Sequence, residues 1–456
     1  MSSLTQIGYS GLHAAQISLT VAGQNIANVN TPGFSRLSAQ LHSVGGRGGS
    51  RVGGGVEVTS IHRMTSEFHN RQLWLANTQV NFHSSSQQYL TALEGLIGSE
   101  GSSISAGLDN FFAALSEATS TPESIVLRQQ ILNEAKQLAQ RFNSLSGNIN
   151  TQIGAIHGQR TALVDEVNGL LGNIADLNKR IAEQEAVGGE TGALRDHRDS
   201  LIKDLSQFAD IRVQELQDGA VAVSLANGEP LVIRGTVSEL KLSTNAAGEQ
   251  ELTLIFANST FNVPQQDLGG TLGGLHEAEY GALRPVLDDL HAMAGQLADL
   301  VNGLLATGVD LNNGTPGKPL FSYDPNSITS MLTVEDLAPE ELAFSSAADE
   351  PGNNDVLLEL IELRHETITV NGSQVSLNDA YAGIVSRVAS ASRQNQADLK
   401  ASEEVLRDAQ AKRDSVSAVS LDEEAVNLMT YMQAYQANMK VIGVADKMFE
   451  TLLTMF

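Results

Sequence analysis

This sequence predicts a mainly α fold carrying one inserted antiparallel β domain. Three observations predict it. Apolar residues recur at steps of three and four along most of the chain, strict alternation replaces that period only across residues 209–266, and both chain ends carry heptad-like stripes. Composition agrees: of 456 residues, 41% are apolar, enough for a sizeable core. Only 5% are aromatic, which suits long helices packed side by side better than a compact enzyme.

The elements follow in order. Leu4, Gly8, Leu12, Ala15, Leu19, Ala22, Ile26 and Val29 form one narrow helical seam, whose small members would let another helix approach closely. The stretch "NIANVNTPGFSR", from Asn25 to Arg36, ends it: Pro32 disfavours helix at Thr31, and Gly33 can turn the chain. The Asn amides there can bond to backbone or to another subunit. Residues 35–60 are Gly-rich and read as a loop with short strands, arranged as a hairpin. A helix over 66–96 carries the only tryptophan, Trp74, and a short helix over 108–118 follows.

In "TPESIVLRQQ", Thr121 reads as an N-cap, with Pro122 at the first helical position and Glu123 favouring the positive helix end. Heptad-like spacing from Leu138 to Ile181 then predicts one helix reaching about residue 186, on the order of 95 Å long. Gly147, Gly154, Gly158, Gly169 and Gly172 each weaken it. A further helix covers 192–208. The segments "IRVQEL", "AVAVSL", "PLVIRG", "ELKLS", "ELTLIFA" and "TFNV" alternate as strands, with Asp218-Gly219 and Asn227-Gly228 as hairpin turns. Helix returns over 270–305 and 376–417, separated by a Gly/Pro/Asn loop and a hairpin in "TITVNGSQVSL". Ser420 and Glu423 fit a capping box. Leu421, Ala425, Leu428, Met432, Tyr435, Met439, Ile442, Ala445, Phe449, Leu452 and Phe456 then form one stripe.

Several functions are excluded by composition. There is no cysteine, so disulfides, thiolate metal sites and cysteine nucleophiles are absent. A formal net charge of −25 argues against a nucleic-acid partner. Residues 1–60 depart from that balance, with Arg36, Arg47 and Arg51 against Glu57. The first residues lack a basic leader and a continuous apolar core, and no stretch is long and apolar enough to span a membrane. The expectation is a cytoplasmic chain, or one exported without a cleaved signal.

Motifs that could carry chemistry do not hold up. "LHEAEY" begins like a zinc-protease helix, but Tyr280 stands where the second histidine belongs. "DHRDS", Asp196–Ser200, echoes a kinase catalytic loop without its metal-binding Asn, and reads better as a charged helix start. For His62, His69 and His83 a solvated face is the default. The glycines of "GGRGGSRVGGG" match neither a dinucleotide fingerprint nor a P-loop.

Two segments resemble a known family. "NIANVNTPGFSR" is similar to the N-terminal signature of flagellar axial proteins, which form the rod, the hook and the hook–filament junction. "SLDEEAVNLMTYMQAYQANMKVIGVADKMFETLL" resembles their shared C-terminal helix. The middle segments "GALRDHRDSLIKDLSQFADIRVQELQDGAVAVSLANGEPLV" and "GGTLGGLHEAEYGALRPVLDDLHAMAGQLADLVNGLLATGVDLNNGTPGKPLF" narrow the resemblance to the hook-associated members at the junction. This chain is shorter than typical members, mostly through a small β insertion, which implies that an outer domain is missing.

The resemblance implies a structural subunit and no enzyme, with no cofactor and no metal. It would be exported by the flagellar type III apparatus and assemble at the distal end of the hook. There it would form the junction on which the next junction protein and the filament build. Implied partners are other copies in a helical junction layer, the hook protein, the second junction protein, the export apparatus, and a secretion chaperone at the C-terminal helix. Nucleic acid and membrane are not among them, and the implied location is extracellular. Another axial protein (rod, hook or second junction protein) is the alternative, and an enzyme carried on an axial scaffold is another.

Three parts are expected by the same resemblance. Residues 1–60 with 410–456 would pair as an inner coiled-coil tube, 61–208 with 267–409 would form a long-helix bundle, and 209–266 would face outward. The candidate assembly residues are Leu12, Leu19 and Ile26 on the first helix; Asn25, Asn28, Asn30, Thr31, Pro32, Gly33, Phe34 and Arg36 in the turn; and Leu428, Met432, Tyr435, Met439, Ile442 and Phe449 on the last helix.

Overall fold

The computed structural model describes residues 3–45, 53–246 and 248–455. Arg47, Arg51 and Phe456 lie outside them. In chain order the elements are α1 (Ser3–Ala27), β1 (Leu37–Val44), β2 (Gly55–Arg63), α2 (Glu67–Ile97), α3 (Ile104–Ala118), α4 (Ile125–Ala186) and α5 (Gly192–Phe208). Next come β3 (Ile211–Glu215), β4 (Val221–Leu225), β5 (Pro230–Ile233), β6 (Thr236–Val237), β7 (Glu239–Thr244), β8 (Gln250–Phe256) and β9 (Ser259–Asn262). The rest are α6 (Gly270–Glu277), α7 (Arg284–Leu305), β10 (Phe321–Tyr323), β11 (Leu332–Val334), α8 (Asp355–Glu362), β12 (Thr367–Val370), β13 (Ser373–Ser376), α9 (Leu377–Ser417) and α10 (Leu421–Thr454). The fold is mainly helical with small antiparallel sheets, and α1 and α10 are in contact.

The chain forms two compact units. One comprises Met1–Val80, Val164–Gly270 and Ser402–Phe456; the other comprises Asn81–Leu163 and Thr271–Ala401.

In the first unit, β3-β4-β5-β6 make a four-stranded antiparallel sheet and β7-β8-β9 a three-stranded one. Both sequence-marked turns close hairpins, because Gly219 (φ 74°) and Gly228 (φ 99°) adopt the left-handed conformation that glycine allows most cheaply. Alternation buries Val221, Val223 and Leu225 on one face of β4, against the inward residues of neighbouring strands. β1 and β2 pair as a separate hairpin.

The second unit is built on an apolar core. Leu93, Ile97, Leu108, Phe111 and Phe112 meet Leu138, Phe142, Leu145 and Ile149 of α4 and Leu290, Met293, Leu297 and Val301 of α7. Each such side chain contributes about 1.5–3 kcal/mol by leaving water. The β12–β13 hairpin turns on Asn371 (φ 53°) and Gly372 (φ 75°), as "VNGS" predicts.

Helix amides fasten strands in both units by the same device. Asn168 Nδ2 donates to the Leu240 carbonyl at 2.9 Å, and its Oδ1 accepts from the Leu240 N–H at 2.9 Å. Asn143 does this with Leu332, Asn178 with Val221, and Gln296 with Thr369. A side-chain amide carries the same donor and acceptor as a peptide, so it substitutes for the neighbouring strand that an edge residue lacks.

Two local features depart from the sequence reading. α4 begins at Ile125, three residues later than a Pro122 start would place it. Arg128 accounts for the shift: its Nε donates to the Pro122 carbonyl at 2.6 Å and its Nη1 to the Leu342 carbonyl at 2.5 Å. That carbonyl is thus held by a side chain, and Thr121–Ser124 form a separate turn. The second departure is a π turn over Ala278–Leu283, between α6 and α7, closed by the Arg284 N–H on the Glu279 carbonyl. Pro285 has no N–H to bond back to Gly281, so the α-helical pattern cannot run through this point.

The five glycines of α4 do not interrupt it. A Cβ on Gly147, Gly154, Gly158, Gly169 or Gly172 would meet nothing within 4 Å. At the helical period these positions share one face.

Candidate assembly face

The terminal helices pair antiparallel. Gly8 of α1 sits against Ile442 of α10, where an added Cβ would come within 2.9 Å of Cγ1, and Gly11 sits against Asn438. Gly8, Ala14, Ala15, Ser18, Val21, Ala22 and Asn25 are the buried row of α1. The missing side chains of Gly8 and Gly11 are what let the two backbones approach. Leu12, Leu19 and Ile26 flank that row and are half-buried.

The single stripe expected along α10 divides into two rows. Glu424, Leu428, Tyr431, Tyr435, Asn438, Ile442 and Ala445 follow at steps of four and three and are buried or half-buried. Met429, Met432 and Met439 lie beside them and are exposed, Met432 by 45% and Met439 by 52%. Beyond Ala445, Met448, Phe449, Leu452, Leu453 and Met455 are all exposed. Of the predicted residues, Leu428, Tyr435 and Ile442 therefore line the row against α1, while Met432, Met439 and Phe449 are left open.

The turn after α1 is tied down at several points. Asn25, 1% exposed, uses its amide as the strand-fastening helices do: Nδ2 donates to the Leu37 carbonyl and Oδ1 accepts from the Leu37 N–H, both at 2.9 Å. Asn28 donates to the Gln24 carbonyl at 2.9 Å and accepts from Thr31 Oγ1 at 3.2 Å, closing the helix end. Asn30, Thr31 and Pro32 are exposed, and Gly33 (φ 82°) and Phe34 are half-buried. Arg413 of α9 donates to the Gly33 carbonyl at 3.2 Å, and the Arg36 N–H donates to the Ser417 carbonyl at 2.9 Å. Arg36 also pairs with Glu423 at 2.6 Å. The N-terminal signature is therefore seated on the break between α9 and α10.

A second set of ties was not anticipated as a group. Asp196 of α5 accepts from the Ser35 N–H at 3.2 Å and from Arg63 of β2 at 2.5 Å, and Asp199 accepts from the same guanidinium at 2.9 Å. On the other side of α5, Arg195 donates to Glu185 and Glu215, each at 2.5 Å, and Arg198 to the Gly219 carbonyl at 2.7 Å. Burial lowers the Arg198 pKa from its usual value. The charged helix start thus holds the turn and the β1–β2 hairpin with its carboxylates, and the end of α4 and the sheet with its guanidiniums. Its i, i+3 alternation is the signal in the sequence.

These side chains have the chemistry of packing and fastening. Among the described residues, no group of three or more His, Cys, Asp or Glu side chains is arranged to hold a metal ion, and no helix is long and apolar enough to cross a membrane.

Comparison with known proteins gives the same picture for all parts of the chain. Residues 90–321 match the family described as "Flagellar hook-associated protein FlgK helical domain". Residues 6–34 match "Flagella basal body rod protein", and 410–455 match "Flagellar basal body rod FlgEFG protein C-terminal". The chain is 25% identical to "Flagellar hook-associated protein 1" of Escherichia coli K12 over 547 aligned positions, covering 99% of this chain and 100% of that one. It is 26% identical to the protein of the same description from Bacillus subtilis, over 97% of this chain and 96% of that one. The Escherichia coli alignment is longer than this chain, so it includes positions that this chain lacks. The solved flagellar hook junction protein FlgK of Burkholderia pseudomallei superposes with a TM-score of 0.69 at 17% identity, over 76% of this chain and 100% of that one.

Proposed function

The chain belongs to the flagellar hook-associated protein FlgK family, the structural proteins of the hook–filament junction, and from that premise we propose how it joins its neighbours. The observation that carries the reading is the divided α10 helix. One row is turned towards α1 of the same chain, and the row of Met429, Met432 and Met439 is exposed. Methionine fills irregular gaps well, so such a row suits contacts repeated around a helical layer. Other copies of this chain cover that row in the assembled junction, with Phe449 and the apolar residues that follow it.

The turn residues Asn25 to Arg36 act one step back, by holding α1 in place for α10. The three-part division expected from the sequence, into a terminal pair, a helix bundle and the strands of 209–266, is part of the same proposal. Below the layer lies the hook protein, and above it the second junction protein and then the filament. The chain reaches this place through the flagellar export apparatus, outside the cell, and its open α10 face is what a secretion chaperone would cover beforehand. A bending hook joined to a stiffer filament calls for long helices, and this chain supplies them.

Electron microscopy of a strain lacking the chain tests the reading. Hooks without filaments, with filament protein lost to the medium, are the expected result. Normal filaments on such a strain refute it.

A further inference from the structure

A buried charge cluster at the π turn takes no part in the contacts above. Glu279 has a side chain 0% exposed, and Arg160 of α4 is 1% exposed. The two carboxylate oxygens of Glu279 are treated unequally. Oε1 accepts from Arg284 Nε at 2.9 Å and Nη2 at 2.7 Å and lies 3.0 Å from His157 Nε2. Oε2 has no hydrogen-bond partner, and neither do Nε and Nη1 of Arg160. Arg160 Nη1 stands 3.7 Å from Oε2, an attraction between opposite charges but too long for a hydrogen bond. His276 Nδ1, on α6, is also without one, and its ring stacks on Tyr280 with centroids 4.5 Å apart. Burial lowers the pKa of Arg160, against the pull of Glu279.

We propose that this cluster is a binding site for one water molecule, which bridges Arg160 Nη1 and Glu279 Oε2. The donor and acceptor balance selects the ligand. Nη1 needs an acceptor and Oε2 needs a donor, and buried polar groups in folded proteins find partners. A chloride ion would accept from Arg160 but set its charge against Oε2. A metal ion would satisfy Oε2 but face the Arg160 N–H groups. Water does both at once. With the two atoms 3.7 Å apart, a molecule about 2.8–3.0 Å from each sits at the apex of a triangle. Internal waters of this kind are permanent parts of a fold and are costly to remove.

The site has a role in the fold as well. The π turn allows Glu279 and Arg284, five residues apart, to close a fork on the inner side of the helix. His157 of α4 already reaches Glu279 Oε1, and the bridging water adds Arg160, so the wide turn and the long helix are linked through both carboxylate oxygens.

High-resolution crystals of the full chain test this, grown once with chloride and once with bromide. The expected result is an isolated density peak within about 2.7–3.2 Å of both Arg160 Nη1 and Glu279 Oε2, without an anomalous bromide signal. A direct Arg160–Glu279 hydrogen bond with no peak between overturns the proposal. An anomalous peak there overturns it too, by showing an anion.

Discussion

A Cβ placed on Gly11 would lie 2.5 Å from Oδ1 of Asn438 and 2.8 Å from its Cγ. Asn438 is a polar residue in the middle of the row that α10 turns towards α1. A polar residue at such a position lowers the stability of a helix pair and selects its register, because other registers bury it elsewhere. Glycine at position 11 leaves room for the conformation that Asn438 adopts.

This contact reverses the usual effect of a glycine substitution. On helix propensity alone, Gly11→Ala stabilises by about 1 kcal/mol. The contact instead predicts a loss of about 1–3 kcal/mol from overpacking. Asn438→Ala clears the space, so the double variant should recover what Gly11→Ala loses. Equilibrium unfolding of the two single variants and the double closes the cycle. A Gly11→Ala chain as stable as the parent shows that Asn438 simply swings aside.

The divided α10 row separates folding from assembly. Changing Met429, Met432 and Met439 together to Asp should leave the thermal midpoint of the free chain unaltered, because these side chains are exposed. It should stop incorporation at the hook tip, where unpaired charge would be buried at a cost of several kcal/mol. Changing Leu428, Tyr435 and Ile442 to Asp should instead detach α1 from α10 in the free chain. Filaments of normal length on a strain carrying the methionine variants rule out that face as an interface.

Heptad spacing puts Leu428, Tyr435 and Ile442 in one stripe with Met432 and Met439, and spacing alone could not separate them. Leu428 and Met432 are equally apolar and one turn apart; what distinguishes them is that Gly8 and Gly11 lie opposite one edge of the stripe. The hairpins were legible for a local reason, since Asp218-Gly219, Asn227-Gly228 and Asn371-Gly372 place glycine where the turn needs positive φ. The strand-fastening amides were not legible. Asn143, Asn168 and Asn178 look like polar interruptions of a helix until their partners, far along the chain, are in place. The late start of α4 has the same origin, because Arg128 competes for a carbonyl that local rules assign to the helix.

The open glycine face of α4 makes a prediction about the free chain. Since nothing lies within 4 Å of a Cβ at Gly154 or Gly158, alanine fits at either position without strain. Gly154→Ala and Gly158→Ala should each raise stability by about 1 kcal/mol through helix propensity. Chemical denaturation of the two variants measures this. A fall in stability would show that these glycines relieve a strain in the helix itself.

Acid should weaken the unit that contains His276 and His291. Burial lowers the pKa of both below the ordinary 6.5. His276 also feels Arg160, which lowers it, and Glu279, which raises it; His291 is raised by Asp288. When the folded pKa is the lower one, the unfolded chain binds more protons between the two values. The stability these histidines contribute is complete above the unfolded value of about 6.5 and is lost as pH falls towards the folded ones. Unfolding followed from about pH 7 to 5 should show this slope, and His276→Gln with His291→Gln should flatten it. A slope unchanged in that double variant assigns the effect to other groups.

The last prediction concerns the chain ends before assembly. In the free chain α10 buries one row against α1 and leaves the rest of its surface in water. Ordering the backbone costs roughly 1–2 kcal/mol per residue, and short isolated helices are marginal in water. A 25-residue helix on a 34-residue helix, joined where Gly8 and Gly11 meet α10, recovers little apolar area per residue ordered. The pair should therefore open often in the monomer, over Ser3–Ala27 and Leu421–Thr454. In the junction the methionine row and Phe449 gain neighbours, and the balance reverses. An opened end also suits passage through a narrow export channel. Hydrogen exchange on dilute monomer and on assembled junctions reads this directly. Fast exchange in α1 and α10 of the monomer, beside slow exchange in the core of α4 and α7, is expected. Strong protection of both terminal helices in the monomer refutes it, and would make the α1–α10 pair a preformed part of the fold.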